Sequence, residues 1–401
     1  MINIGDSMKS LIKKIRRTFQ DMDKWLLWTT VIMICYGLLN IVTASSSEAV
    51  TSSAPLYYYF YQQLKMLCIG FVATLIILSI DTKKYPIYAL LGYVLVFGLL
   101  LYLGKYGTTH RGSLNWINIA GFTFQPSELA KPVVIVCLAV VFEKFARKLK
   151  NPKISHIDML GIIFFVGCAF PIIIFLQKDL GTAMILLAIF GVMFFTSPIL
   201  RKEKLLWTGR IALIGVAGCL IMLNVKGYIL SPAQMARFDF YNPCSKYEGG
   251  GYQICNGFIA INDGGLLGLG PGKSKQKYSY IPEPHTDSVF AIIVEENGLL
   301  LSTLLFIGYY VILKRILMLA SVANTLRGRY ICIGTATYIF MHIFINLGGL
   351  FGIMPLTGVP LPFLSYGGSF IISLIMMLAV VQRVHIETKR ELLKVQLKSR
   401  A

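Results

Sequence analysis

Charged residues are scarce in this chain. Asp, Glu, Lys and Arg make up 14% of its 401 residues, whereas hydrophobic residues make up 56%. Soluble domains carry roughly 25% charged residues, so the composition excludes a soluble globular protein and predicts a membrane protein. Acidic residues are the rarer sign, with 19 Asp and Glu against 38 Lys and Arg. The excess of positive charge falls between apolar runs and at the termini, which is typical of cytoplasmic membrane loops and argues against a nucleic-acid partner.

The chain also lacks the short motifs of several enzyme classes. It contains no Walker-type phosphate loop, no G-x-S-x-G elbow and no H-E-x-x-H pair. These absences exclude the corresponding ATPases, serine hydrolases and zinc proteases. No C-x-x-C spacing occurs among the eight cysteines, so the sequence predicts no metal site of that kind.

Most of the cysteines lie inside apolar runs, where they behave as small hydrophobic residues. Cys244 and Cys255 are different because they share a polar loop, eleven residues apart. That loop is expected on the oxidising side of the membrane, where disulfides persist. The two cysteines therefore form either a disulfide or a pair of free thiols.

Apolar runs long enough to cross a membrane recur along the chain. The fold class expected is an all-α polytopic membrane protein with about ten transmembrane helices and both termini in the cytoplasm. A corner of sequence QKDLGT separates the fifth run from the sixth. The ten runs cover residues 25–44, 60–80, 86–104, 127–146, 157–176, 180–199, 206–225, 288–313, 330–351 and 364–383.

The runs and the charges between them divide the chain into three parts. A basic cytoplasmic arm covers residues 1–24, a membrane domain covers 25–383, and a basic cytoplasmic tail covers 384–401. The first run is expected to be retained rather than removed as a signal peptide. Two long extracellular loops are predicted at 104–127 and at 225–287, the second between the seventh and eighth helices. Loops of this length are usually functional.

Asp287 stands where the eighth helix is expected to begin. Pro282 and Pro284 fix φ and hold the approach extended, and an apolar run follows from residue 288. An Asp in this place either caps the helix or faces water at the mouth of a membrane helix and takes part in chemistry. This stretch alone leaves both interpretations open.

Other ionisable residues fall at the same predicted ends of the spans. Each needs a reason, because a charge at membrane depth costs roughly 2.5–3.5 kcal/mol on insertion scales. Glu128 and Lys131 are three residues apart and share one helix face, for which a structural ion pair is the simpler interpretation. Lys178 and Asp179 occupy the corner between the fifth and sixth runs.

Three deeper residues favour structural interpretations. Glu295 and Glu296 are expected to be held by another helix. His342 is expected to be a core histidine rather than a ligand, and the Pro and Gly residues of 360–368 predict a rigid turn.

Taken together, the charges predict the chemistry of a ligand. Arg111, Lys131 and Lys178 would line a water-facing cavity near the outer leaflet together with one carboxylate. Cations bind a pyrophosphate, and a carboxylate removes a proton from an incoming hydroxyl. The residues therefore predict a polytopic protein with an anionic, lipid-linked ligand at its outer face.

At these same stretches the chain resembles the shape, elongation, division and sporulation (SEDS) family of bacterial glycosyltransferases. The resemblance follows the family's order over nearly the whole chain. Its segments are WINIAGFTFQPSELAK at 116–131, QKDLGTA at 177–183, GYQICNGFIAINDGGLLGLGPGKSKQKYSYIPEPHTDSVFAIIVEENG at 251–298 and GIMPLTGVPLPFLSYGGS at 352–369.

The resemblance implies a peptidoglycan polymerase that acts on lipid II in the bacterial cytoplasmic membrane. It also implies a class B penicillin-binding transpeptidase as partner, together with other membrane proteins of the division or elongation machinery. The family's essential Asp corresponds to Asp287 and its functional Lys to Lys131. The segment GKSKQKYSYIPEPHTD is closer to the division (FtsW-like) branch than to the elongation (RodA-like) branch.

The chain departs from the family pattern at three positions. Asn115 stands where the family often has Arg, so Arg111 is expected to take that role. Ser288 replaces an aromatic residue after the Asp, and Asn297 gives EENG in place of EELG.

These expectations combine into a mechanism with Asp287 as general base. Lys131, with Arg111 or Lys178, would stabilise the leaving pyrophosphate, and a divalent cation, Mg or Mn, is an additional expectation without a readable ligand set. Two alternatives are a lipid II flippase and a non-catalytic scaffold for a class B penicillin-binding protein. The full set of predicted substrate-binding residues is Lys131, Arg111, Glu128, Lys178, Asp179, His285 and Ser365.

Overall fold

The protein is a bundle of long helices with a small sheet at one end. A computed structural model describes residues 16–110, 113–119, 122–148, 156–227, 240, 242–246, 251–278 and 280–400. Each predicted apolar run coincides with a helix in these residues. The helices are α1 (Lys24–Ala44), α2 (Ser46–Thr51), α3 (Tyr58–Ser79), α4 (Tyr85–Tyr106), α5 (Pro126–Lys148), α6 (His156–Leu176), α7 (Leu180–Thr196), α8 (Arg201–Lys226), α9 (Tyr252–Gly264), α10 (Val289–Val322), α11 (Leu326–Leu350) and α12 (Gly368–Arg400).

The lengths and hydropathies of the helices confirm a multi-pass membrane protein. Within the described residues, eight helices are long and apolar enough to cross a membrane. Two of the predicted spans fall outside that set. α7 has only 17 residues, and α5 carries six charged residues, which are Glu128, Lys131, Glu143, Lys144, Arg147 and Lys148. Ten crossings with both termini in the cytoplasm therefore stay a prediction.

α11 and α12 form the interior of the bundle. α11 packs against α5, α7, α10 and α12, and α12 packs also against α3. In their most apolar stretches 72% and 83% of the residues are buried, against 28% in α1. α8 lies at the periphery, with none of its most apolar stretch buried. Polar side chains on α11 therefore need partners within the protein.

The first long loop contains short strands, which the sequence did not predict and which leave the all-α class of the membrane domain unchanged. β1 (Thr108–His110), β2 (Ser113–Ile119) and β3 (Phe122–Phe124) form a three-stranded antiparallel sheet. β2 has the sequence SLNWINI, in which polar and apolar residues alternate except at Trp116 and Ile117. The N–H of Leu114 donates to the carbonyl of Gln177 at 3.1 Å, which ties the sheet to the corner between α6 and α7.

α10 is interrupted at Gly298, whose φ of 77° lies in the left-handed region. Glycine tolerates this conformation because it has no Cβ. The break lets the loop after α9 pair with the backbone of α10. The N–H of Leu269 donates to the carbonyl of Glu295, and the N–H of Leu299 donates to the carbonyl of Gly265, each at 2.9 Å.

The same loop binds the two glutamates of α10. The Glu295 carboxylate accepts hydrogen bonds from the Ser274 hydroxyl at 2.5 Å and from the Lys275 N–H at 2.7 Å. Glu296 forms a buried ion pair with Lys277 at 3.0 Å. The prediction that another helix holds these glutamates is therefore wrong. A loop holds them, because its free N–H groups are donors that a helix interior lacks.

The opposite end of the bundle joins the two ends of the chain. Asp23 caps α1 by accepting from the Leu26 N–H at 2.9 Å and pairs with Arg315 of α10. Asp21 pairs with Arg390 of α12 at 2.9 Å. The predicted tail begins at residue 384, but α12 continues without interruption to Arg400.

Candidate functional site

A cavity of about 650 Å³ opens at the end of the bundle where α5, α7, α10 and α12 begin. It brings together charged residues from four separate parts of the chain, including Glu48 and Glu283, for which the sequence predicted no role. The predicted site residues that line it are Glu128, Lys131, Lys178, Asp179, His285 and Asp287. The cavity therefore contains both carboxylate and ammonium groups.

Asp287 lies two residues before α10 and is 3% exposed. Its Oδ1 accepts from Gln253 Nε2 at 3.2 Å. The N-cap of α10 is Ser288, whose side chain makes no capping hydrogen bond. The interpretation of Asp287 as the N-cap of this helix is therefore wrong, and the carboxylate lines the cavity instead.

Lys131 supplies the positive charge on the α5 side of the cavity. Its Nζ lies 2.7 Å from Glu128 Oε1 and 3.1 Å from His342 Nε2. The rings of Tyr338 and Phe370 lie 5.8 and 5.9 Å from the same nitrogen. The expected ion pair between Glu128 and Lys131 is therefore present, and both of its members line the cavity.

The corner between α6 and α7 has one buried and one exposed charge. Asp179 caps α7, since its Oδ1 accepts from the Thr182 N–H at 3.0 Å and its Oδ2 accepts from Gln125 Nε2 at 3.3 Å. Lys178 has a φ of 66° and an exposed side chain. Asp179 thus shapes the corner, and Lys178 places an exposed charge at the cavity wall.

Aromatic side chains surround His285, which is buried. Its ring centre lies 4.4 Å from that of Tyr59 and 5.4 Å from that of Tyr366. Burial, with the neighbouring Tyr58 and Tyr59, raises the pKa of Tyr366 to about 12. The Tyr366 phenol also lines the cavity, and a phenol can donate a hydrogen bond to a ligand.

Two predicted residues are not placed in the cavity wall. Ser365 is not among its lining residues, and its hydroxyl accepts from the Leu361 N–H at 2.8 Å within the turn before α12. Arg111 lies outside the described residues. The predicted substrate contacts of both stay predictions.

Gln253 and Asn346 are site residues whose roles the sequence did not reveal. Gln253 on α9 donates to Asp287 across 34 residues of chain. The Asn346 amide on α11 donates to the Asp287 carbonyl at 2.7 Å and to the Val359 carbonyl at 2.8 Å. Neither contact has a local sequence signal, because each depends on how distant elements pack.

Cys244 and Cys255 are joined in a disulfide, with Cα atoms 5.0 Å apart. Cys255 lies in the first turn of α9, two residues after Gln253. The bond ties α9 to the 3₁₀ turn Pro243–Lys246. It therefore supports the helix that supplies a hydrogen bond to Asp287.

The described residues contain no group of three or more His, Cys, Asp and Glu side chains that could hold a metal ion on their own. A metal ion that also binds substrate phosphates needs fewer protein ligands, because Mg²⁺ is often held by one or two carboxylates plus phosphate oxygens. Glu128 and Asp179 line the same cavity. The arrangement can thus bind an anion and accept a proton.

A family model decides the relationship of this chain to known proteins. The model of the FtsW, RodA and SpoVE proteins, described as "Cell cycle protein", matches residues 24–390. The chain belongs to this family. The family resemblance expected from the sequence segments is therefore confirmed.

Relatives of this family match most of the chain. Stage V sporulation protein E of Bacillus subtilis is 32% identical over 365 residues, covering 90% of this chain and 96% of that protein. A probable peptidoglycan glycosyltransferase FtsW of Geobacter is 31% identical over 363 residues, covering 89% and 94%.

A solved structure shows the same fold. It is described as "Structural coordination of polymerization and crosslinking by a peptidoglycan synthase complex", and it superposes with a TM-score of 0.71 at 24% identity. The match covers 92% of this chain and 98% of that chain. This likeness confirms the predicted class of a polytopic helical membrane fold.

Proposed function

We propose that this member of the family is a peptidoglycan glycosyltransferase that polymerises lipid II at the outer face of the cytoplasmic membrane. Membership of the FtsW, RodA and SpoVE family supports this proposal, as does the name of the FtsW relative as a probable peptidoglycan glycosyltransferase. The observation that carries the proposal is one cavity lined by both Asp287 and Lys131. The carboxylate suits removal of a proton from the acceptor, and the ammonium suits stabilisation of the pyrophosphate that a glycosyl transfer expels.

In the proposed reaction Asp287 is the general base. Its carboxylate takes the proton from the 4-hydroxyl of the acceptor's GlcNAc, and that oxygen bonds to the anomeric carbon of the donor. The bond from this carbon to the pyrophosphate breaks with inversion, and undecaprenyl pyrophosphate leaves with the bonding electron pair. Lys131 stabilises the charge that develops on the leaving group.

The role of Asp287 is tested by Asp287→Asn in a polymerisation assay with purified lipid II. The amide keeps the size of the side chain but cannot accept the proton, so we expect glycan synthesis to fall at least 100-fold, as for removal of a general base. Asp263→Asn is the matched control, because Asp263 is exposed on α9 and does not line the cavity. Wild-type rates in Asp287→Asn would exclude Asp287 as the base.

Lipid II transport is the alternative that uses the same charges. Transporters usually place polar sites near the bilayer midplane on broken helices. Here Asp287 precedes α10 and Asp179 caps α7, so the site lies at the ends of helices, which favours the enzyme. Glycan synthesis by detergent-solubilised protein, which has no second compartment to receive lipid, would support the enzyme over the transporter.

A class B penicillin-binding transpeptidase is the proposed partner. A polymerase that acts alone leaves uncrosslinked strands, and the fold matches a chain from a complex described as coordinating polymerization and crosslinking. Polymerisation assays with and without candidate transpeptidases would identify an activating partner. A purely scaffolding role predicts instead that Asp287→Asn retains full function whenever the complex assembles.

A divalent cation, Mg²⁺ or Mn²⁺, is part of the proposal. Glu128 and Asp179 are the carboxylates that would hold it together with the pyrophosphate oxygens. When bound, the cation would neutralise charge on the leaving group. Removal with EDTA should slow polymerisation, and added Mg²⁺ or Mn²⁺ should restore it. Unchanged rates in EDTA would count against a cation.

A further inference from the structure

His342 lies directly behind the positive charge of the cavity. It is fully buried on α11, 211 residues along the chain from Lys131. A buried histidine usually needs one partner for each ring nitrogen. His342 has two: Nδ1 lies 3.1 Å from the carbonyl of Pro360, and Nε2 lies 3.1 Å from the ammonium of Lys131.

These two partners determine the tautomer. A carbonyl oxygen only accepts hydrogen bonds, so Nδ1 carries the ring proton and donates it to Pro360. Nε2 then has a lone pair and accepts from Lys131, since an ammonium only donates. A doubly protonated ring would place an N–H against the ammonium, so the geometry requires a neutral imidazole.

Packing fixes the plane of the ring as well. Phe370 stacks on it with ring centres 4.5 Å apart and planes 20° apart, and Tyr338 meets it edge-on at 5.0 Å. The hydrogen bond to Pro360 removes the remaining rotation. Nε2 is therefore a fixed acceptor.

We infer that His342 is a positioning residue that holds the Lys131 ammonium toward the cavity for the pyrophosphate of the substrate. This inference rests on the proposed function for the identity of the anion. A lysine has four rotatable side-chain bonds, and holding it in one geometry costs conformational entropy. His342 and Glu128 lower this cost by fixing two of the three N–H groups, which leaves the third for a ligand.

The chemistry of an imidazole suits this task better than that of a second carboxylate. Glu128 is buried beside Lys131, with side-chain exposures of 4% and 1%, and its negative charge offsets the charge of the ammonium. Another carboxylate at the position of His342 would make the cluster net negative and would repel a pyrophosphate. A neutral acceptor holds the ammonium without cancelling its charge.

His342 also connects the positive side of the cavity to the catalytic side. Asn346 lies one helical turn further along α11 and holds the carbonyls of Asp287 and Val359. Val359 and Pro360 are adjacent, so one face of α11 fixes this segment at two successive carbonyls. The position of Lys131 and that of Asp287 thus depend on the same helix.

Binding of undecaprenyl pyrophosphate to the detergent-solubilised full chain tests the inference without requiring catalysis. The variants are His342→Leu, Lys131→Gln and the double variant, with His342→Gln as the conservative change. His385→Leu on α12 is the matched control, because His385 does not line the cavity. We expect His342→Leu to weaken binding about tenfold, the typical value of one hydrogen bond to a charged group.

The expected result is that the effect of His342 disappears when Lys131 is absent. The double variant should bind no more weakly than Lys131→Gln alone, because residues that act through each other are non-additive. His342→Gln should bind within about threefold of wild type, since an amide offers both a donor and an acceptor. The inference would be overturned if His342→Leu weakened binding by the same factor in the Lys131→Gln variant as in the wild type. It would also be overturned if His342→Leu alone left binding unchanged.

Two further measurements keep the outcomes distinct. If His342→Leu does not yield folded protein, His342→Asn replaces it in the same cycle, because that side chain is polar but too short to reach both partners. Polymerisation of lipid II by wild type and by Asp287→Asn tests the proposed function separately. Equal rates there would refute the glycosyltransferase mechanism and leave the binding cycle interpretable.

Discussion

Single buried charges determine the character of the site. Lys131 and Glu128 are almost fully buried, 2.7 Å apart. A buried ion pair contributes little net stability, because desolvation offsets the attraction between the charges. Its presence at the cavity therefore indicates a demand of function rather than of folding.

Removal of one charge of this pair should destabilise the folded protein more than removal of both charges. Lys131→Met leaves Glu128 without its ammonium partner, a change that typically costs about 3–5 kcal/mol. The double variant Glu128→Gln with Lys131→Met leaves no uncompensated charge. We expect the double variant to unfold at a higher temperature than Lys131→Met in a thermal melt of the detergent-solubilised protein.

Lys178→Met serves as the control, because Lys178 is an exposed lysine at the same cavity. Its melting temperature should match that of wild type. A double variant less stable than Lys131→Met would show that the pair is a net stabilising contact.

At the scale of elements, α10 depends on its break. A Cβ at Gly298 would lie 2.4 Å from the Leu266 carbonyl oxygen and 2.5 Å from the Gly268 nitrogen. Both are backbone atoms of the loop that pairs with α10, so they cannot move aside independently. The break and the loop are therefore one structural unit.

Gly298→Ala should destabilise the protein by about 1–3 kcal/mol or more, since it adds left-handed strain to a backbone clash. Gly218→Ala in α8 is the control, because a Cβ there meets no atom within 4 Å. That change should be neutral or slightly stabilising, as alanine is the better helix former. Thermal melts of both variants test this prediction. Equal destabilisation of the two variants would contradict it.

The sequence predicts elements better than their connections. Apolar runs locate the helices because a membrane span is a local property of about 20 residues. Charges at the ends of these runs drew attention to Asp287 and Lys131, and both residues line one cavity. Contacts such as that of Gln253 with Asp287 were not predictable, since they join elements through a loop with no periodic pattern.

The errors have the same origin. Asp287 was compatible with a helix cap, but the Thr286 N–H and hydroxyl both donate to the Glu283 carbonyl, and that turn delays the start of α10 to Val289. The sheet at 108–124 was missed because β1 and β3 have only three residues each and the alternation in β2 is broken at Trp116 and Ile117, so no clear strand periodicity registers.

For the whole molecule, the distribution of Lys and Arg predicts an orientation. Both ends of the chain should lie in the cytoplasm, with the cavity on the outer side. Single cysteines test this: Ser53→Cys between α2 and α3 and Ser399→Cys near the end of α12 are both at exposed positions. We expect a membrane-impermeant maleimide to label the first and not the second in intact spheroplasts.

The parent protein, with its own cysteines, gives the background labelling in that experiment. Permeabilised membranes should label both positions and so verify that Ser399→Cys is reactive. Labelling of Ser399→Cys in intact cells would reverse the predicted orientation and place the cavity on the cytoplasmic side.

The pairing of the α9–α10 loop with the broken helix has a consequence for where that loop can reside. Leu266 and Leu267 are 62% and 83% exposed at its tip, while the amides of Leu269, Gly270, Leu299 and Leu300 donate to carbonyls across the break. Backbone that satisfies its own polar groups does not require hydration. The loop therefore presents apolar side chains outward at the level of Gly298, deeper along α10 than Asp287, and the four paired amides should exchange with deuterium as slowly as those of a regular helix.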